Sequence, residues 1–73
     1  MIRVCNRRVD EAVYSYGKEN GISRETVASK LGMRSVTLSK RLNGERDWKV
    51  KELATLSSLT GVPFKDFFEE VEE

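Results

Sequence analysis

Histidine is absent from these 73 residues, cysteine and proline occur once each, and no apolar run approaches the length of a membrane span. Each scarcity removes a class of protein. A single thiol forms no internal disulfide, and without histidine it supplies no zinc-binding set. Nor does the sequence contain a glycine-rich phosphate loop or an acid pair in a recognisable cleft. So small a core leaves little room for a substrate pocket, so the expectation is a protein that is not an enzyme, with no catalytic residues, cofactor, metal or small-molecule substrate. The N-terminus lacks the apolar stretch of a signal peptide, and a cytoplasmic protein without membrane contact is expected. Cys5 reads most simply as a small apolar residue, with a thiol redox switch as the distant alternative.

The net charge of +1 conceals an asymmetry. Residues 1–65 hold all thirteen Lys and Arg and seven of the twelve acids, while Asp66, Glu69, Glu70, Glu72 and Glu73 close the sequence without a base. A basic body is the electrostatic footprint of a polyanion binder, and an acidic tail over about 69–73 would face away from the polyanion. The plainer reading is a solvated charged surface. Length allows a single domain over 1–73, and no repeat or linker divides it.

Apolar spacing predicts helices along the chain, organised around residues 24–44. Val27, Ala28 and Leu31 share one face of a short helix, Gly32 and Met33 follow, and Leu38 and Leu42 repeat at four-residue spacing on a second. Gly32 suits a reversal through left-handed backbone, and Ala28 lets the two helices cross closely. Upstream, Val9, Ala12, Val13 and Tyr16 mark a helix from Arg7 to about Lys18, with Asn6 as its cap, Gly17 weakening its last turn and Asn20-Gly21 as its end. Ser23 is placed to cap the next helix. Met1 to Cys5 reads as an arm too short to be a paired strand.

Asn43-Gly44 closes the second helix of the pair, and Glu45-Arg46-Asp47 forms a polar loop. Trp48 then reads as a hydrophobic plug over the end of the core; stacking on bases is the alternative, and suits unpaired strands better than grooves. Val50, Leu53, Leu56 and Ser57 give the inward face of a helix over about 49–60. Gly61-Val62-Pro63 would stop it and start a fifth, carrying Phe64, Phe67, Phe68 and Val71. Three phenylalanines in five residues fit a homodimer face as readily as a core filled from within.

Val27-Ala28-x-Lys30-Leu31-Gly32-Met33, the aliphatic Leu38 and Leu42-Asn43-Gly44 resemble the helix-turn-helix of the lambda-repressor and Cro-like, or Xre-type, DNA-binding family. The resemblance is densest over residues 23–44 and extends more loosely to about 68. It implies an all-α, compact five-helix lambda-repressor-like domain with the helix-turn-helix at helices 2 and 3. It also implies a transcriptional regulator, of Cro or repressor type, that occupies a double-stranded DNA operator as a homodimer. Arg24 departs from the glutamine frequent there, Arg41 from an apolar residue, and Arg34-Ser35 from a leading Ser or Thr cap, so that the second helix is expected to start one residue late.

In that family, residues matching Ser35, Val36 and Lys40 read bases and the one matching Asn43 touches phosphate. Thr37 lies in the same first turn. Val36 could pack on a thymine methyl and Lys40 could donate to guanine. Arg24, Arg34, Arg41, Asn43 and Arg46 are the candidates for the DNA backbone, with Arg3, Arg7 and Arg8 as outlying ones. Phe64, Phe67, Phe68 and Val71 are the candidate dimer interface. The competing reading keeps the fold and makes the chain a protein-interaction module, such as an antitoxin or adaptor, that uses its aromatic end.

Overall fold

A computed structural model describes residues 1–72. It orders them as a strand β1 (Ile2–Val4), four helices α1 (Asn6–Asn20), α2 (Arg24–Lys30), α3 (Ser35–Leu42) and α4 (Val50–Thr60), a 3-10 turn (Phe64–Phe67) and a strand β2 (Phe68–Glu70). Glu73, the last acid of the expected tail, lies outside the described residues.

The apolar stripes of the helices meet in one core. Val9, Ala12 and Val13 of α1 join Val27, Ala28 and Leu31 at α2, Leu38 of α3, Leu53 and Leu56 of α4, and Phe67. The largest of the wholly enclosed side chains are Phe67, Leu38, Leu53, Leu56, Val9 and Val27. They come from every helix and from the 3-10 turn. Since enclosing such a side chain is worth about 1.5–3 kcal/mol, no element can leave without exposing an anchor of that size.

The reversal between α2 and α3 is closed by backbone bonds. Gly32 adopts a φ of 79°, its N–H donates to the Ser29 carbonyl, and the N–H of Met33 donates to the Ala28 carbonyl, both at 3.0 Å. This doubly bonded left-handed closure satisfies the last carbonyls of α2 and turns Met33 back onto the core. Gly17 plays a different part. Its place in α1 is a close approach: a Cβ there would stand 3.0 Å from the Ile22 carbonyl oxygen. The α1–α2 connection folds back over it, with the Ile22 N–H bonded to the Gly17 carbonyl at 2.9 Å. Ser23 caps α2 as expected, its hydroxyl accepting from the Thr26 amide at 3.3 Å.

The expected fifth helix is replaced by the 3-10 turn and β2, and the expected N-terminal arm is the partner strand β1. The two pair antiparallel, Ile2 with Glu70, Arg3 with Glu69 and Val4 with Phe68. Spacing alone could not separate these outcomes, because Phe64, Phe67, Phe68 and Val71 keep helical spacing whether or not so short a segment gains enough bonds to offset nucleation. Electrostatics decides against the helix: Glu69, Glu70 and Glu72 would crowd its negative end, whereas the ladder sets Arg3 3.4 Å from Glu69. The Glu69 carboxyl is held below the ordinary glutamate range, first by a hydrogen bond from the Cys5 thiol and then by the charge and hydrogen bond of Arg3 and the charge of Arg8, against an opposing effect of burial.

Three smaller expectations also change. Asn6 opens α1 without capping it; its Oδ1 accepts the Trp48 indole N–H at 3.0 Å, which fixes the tryptophan over the end of the core. Val50 is exposed at the start of α4, where Leu53 and Leu56 carry the burial. Arg3 and Arg8 are engaged at the ribbon, Arg3 with Glu69 and Arg8 with the carbonyls of Asp66 and Phe68.

The closure predicts two folding defects. Ala28→Leu should lower stability by roughly 1–3 kcal/mol through overpacking of a site with no free surface, and Gly32→Val should destabilise through backbone strain. Thermal melts of both variants check this; melting at the parent temperature would contradict the helix crossing described here.

Candidate nucleic-acid interface

α3 begins at Ser35, after Arg34 in extended backbone with φ −82° and ψ 157°, and no side chain caps its first amides. Arg34 thus occupies the cap position and Ser35 is the first helical residue, so the expected one-residue delay, with Ser35 as the cap, is not seen. Burial of Leu38 sets the rotation of this helix, and Val36 and Lys40, two positions before and after it and so on the opposite face, are exposed. Val36 is 57% exposed, a large value for a β-branched apolar residue, and Lys40, four positions on, lies exposed on the same face. Ser35 and Thr37 are half-buried along its flanks, Arg34 is exposed ahead of it, and Asn43 and Arg46 are exposed beyond its end. The structure thus gathers Arg34, Val36, Lys40, Asn43 and Arg46 along one solvent-facing helix and its two ends.

Arg41 does not join them. Its side chain is only 12% exposed, its Nη2 lies 3.1 Å from Glu52 Oε2, and its Nη1 donates to the Asp47 carbonyl. Glu52 is equally enclosed, and its other oxygen accepts the Lys49 amide at 2.9 Å at the start of α4. Arg41 therefore clasps α3 to α4 and the loop between them, which corrects its candidacy for the DNA backbone. An arginine can hold such a place because its long stem packs like an apolar residue while its head finds acceptors. That reconciles it with a position where the resembling family is frequently apolar.

Arg24 is exposed but not unpartnered. Its Nη2 stands 2.8 Å from Asp10 Oδ1, with both side chains about half accessible, so the pair is worth at most about 1 kcal/mol and can be exchanged. The amides of α2 are already served in part by Ser23, which weakens the expectation that they assist Arg24 with a phosphate.

The charge around α3 is one-sided. From Lys30 to Lys51 seven bases meet two acids, Glu45 and Asp47, and every one of those bases except Arg41 is exposed. Lys30, Lys49 and Lys51 are not among the residues that the sequence assigned to DNA, although the local excess of bases over this stretch points to them. Of the candidate dimer residues, Phe67 has no accessible surface and is a core residue, which removes it from any interface. Phe68 and Val71 are half-buried, and Phe64 is exposed with its ring packed edge-on against Phe68 at 5.1 Å between centroids.

Among the described residues no cluster of three or more Cys, Asp or Glu side chains is placed to hold a metal ion, and no helix is long and apolar enough to cross a membrane.

A short α2, a glycine reversal and a basic, outward-facing α3 crossing over it define the helix-turn-helix class of DNA-binding regulators. A family model described as helix-turn-helix matches residues 17–67, more than half of the chain, and the chain belongs to that family, which is of the Xre and lambda-repressor type. It is on that basis a DNA-binding helix-turn-helix regulator, built, among the described residues, on four helices and a two-stranded ribbon. Comparison with curated proteins and with solved structures gives no match.

The Arg41 clasp generates a test that separates holding the fold from touching DNA. Arg41→Ala should cost about 3 kcal/mol of stability by leaving Glu52 enclosed without its partner. Denaturant unfolding should show that loss, and duplex affinity per folded molecule should stay at the parent value. A variant as stable as the parent but weaker on DNA would return Arg41 to the interface.

Proposed function

We propose that this chain is a transcriptional regulator of Cro or repressor type that occupies a double-stranded operator as a homodimer, with α3 laid in the major groove. The observation that carries the reading is the exposed pair Val36 and Lys40 on the face of α3 opposite the buried Leu38. A methyl-bearing side chain beside an ammonium on one groove-sized helix is chemistry for base edges: Val36 for a thymine methyl, Lys40 for guanine O6 and N7. Ser35 and Thr37 flank that pair with hydroxyls able to donate or accept. Arg34, Asn43 and Arg46 at the ends of α3 serve the phosphates, and Arg24 joins them by exchanging Asp10 for a phosphate oxygen. Two copies related by a two-fold axis place their α3 helices about 34 Å apart and ask for an operator of the same symmetry.

Affinity for duplex DNA should fall as salt rises, with a log–log slope of roughly −0.9 per phosphate contacted. Lys40→Ala should cost roughly 1–3 kcal/mol on the preferred site and relax choice at one base pair, whereas Arg46→Ala should weaken all duplexes about equally. The measurement is a competition assay against random duplex, on a site selected from a random pool. No binding at low salt would refute the proposal, and an equal loss on specific and random DNA in Lys40→Ala would reassign that residue to the backbone.

A further inference from the structure

The β1–β2 ribbon is paired along one side and open along the other two. The Val71 N–H donates to the Met1 carbonyl at 2.8 Å and the Cys5 N–H to the Phe67 carbonyl at 2.7 Å, continuing the register of the ladder beyond both strand ends. Antiparallel pairs alternate between those that exchange bonds and those that do not. Met1, Arg3 and Cys5 therefore turn their backbone groups toward β2, and Ile2 and Val4 turn theirs outward. On β2 the outward groups are those of Phe68 and Glu70.

The two outer edges are finished differently. On β2 the Phe68 carbonyl accepts from Arg8 at 3.0 Å, and Glu69 and Glu70 put like charges in the path of a second β2. Among the described residues the β1 edge has no such cover. Arg3 is its one charged side chain, already opposite Glu69, and Ile2 is 72% exposed. An edge with outward backbone groups and a bare aliphatic side chain is a template for another strand.

We infer that β1 pairs antiparallel with β1 of a second copy of this chain about a two-fold axis at Arg3, extending the ribbon to four strands. This refines the homodimer of the proposed regulator and rests on that reading. In this register Ile2 stands opposite the second copy's Val4, and each such pair exchanges both backbone bonds. Ile2, Val4 and Phe68 lie on one face of the ribbon, where Phe64 packs on Phe68. An axis perpendicular to the sheet keeps the apolar faces of both copies on the same side, so the seam runs Phe68, Val4, then the second copy's Ile2. Arg3 falls on the opposite face, and the two arginines that meet at the axis are each flanked by their own Glu69. Head-to-tail pairing of β1 with β2 would suit the charges, but Arg8 covers that edge and the contact does not close on itself.

Sedimentation equilibrium of the chain without DNA tests the seam. Ile2→Pro removes an outward N–H and leaves the inward ladder intact; Ile2→Lys charges the edge while facing Glu70 across the ladder. The parent should associate reversibly with rising concentration, and both variants should weaken association at least tenfold, with unchanged melting of the dilute monomer and unchanged binding to a half-site duplex. Phe64→Ser should associate nearly as the parent does. A parent that stays monomeric at millimolar concentration, or Ile2 variants that associate as tightly as the parent, would overturn the inference. Half-site binding is read separately, so its absence from the parent would count against the regulator and not against the seam.

Discussion

The burial of Leu38 is the constraint on which the rest of the molecule's chemistry depends. With that side chain wholly enclosed in the core where α3 meets α1 and α2, the rotation of α3 about its own axis is fixed, and Val36 and Lys40 have no choice but solvent. The close crossing that encloses Leu38 depends in turn on Ala28, whose small side chain has no free surface, and on the Gly32 closure that brings α3 back over α2. Packing in this core thus sets which side chains a duplex would meet, although none of the packed residues touches it.

A second layer of control is electrostatic. Around α3 the bases divide into those already committed within the fold and those left available. Arg41 is committed to Glu52 and the Asp47 carbonyl, Arg3 and Arg8 to the ribbon, and Arg24 to Asp10 through a pair loose enough to open. Lys30, Arg34, Lys40, Arg46, Lys49 and Lys51 remain exposed along one continuous stretch. Desolvation separates the two kinds: the pair at Arg41 is largely out of water and is costly to break, while the pair at Arg24 is half in water and can be traded for a phosphate.

Much of this was legible in the sequence, and the parts that were not share a physical cause. Val27, Ala28, Leu31, Gly32 and Leu38 announce the helix-turn-helix because helical period and a glycine stop are local signals. The ribbon was missed because β1 and β2 lie at opposite ends of the chain, and a pairing of Arg3 with Glu69 leaves no trace in spacing along either strand. Phe64, Phe67 and Phe68 at three- and four-residue spacing satisfy a helix on paper, while the actual chain enters a 3-10 turn and goes extended at Phe68. Arg41 was equally opaque, since nothing in a sequence tells a clasped arginine from a solvated one. At the candidate interface, Val36 and Lys40 are exposed, Ser35 and Thr37 are half-buried and Arg41 is enclosed, while the DNA roles given to these residues came from resemblance and not from spacing.

The claim that the Val36 and Lys40 face of α3 meets DNA is tested most directly by mapping amide chemical-shift changes as a duplex carrying the selected site is added. The account predicts the largest changes over residues 34–40 and at Asn43 and Arg46, with Tyr14 and Ser15 on the exposed side of α1 barely moved. Changes concentrated on the β1–β2 ribbon, with α3 silent, would contradict it.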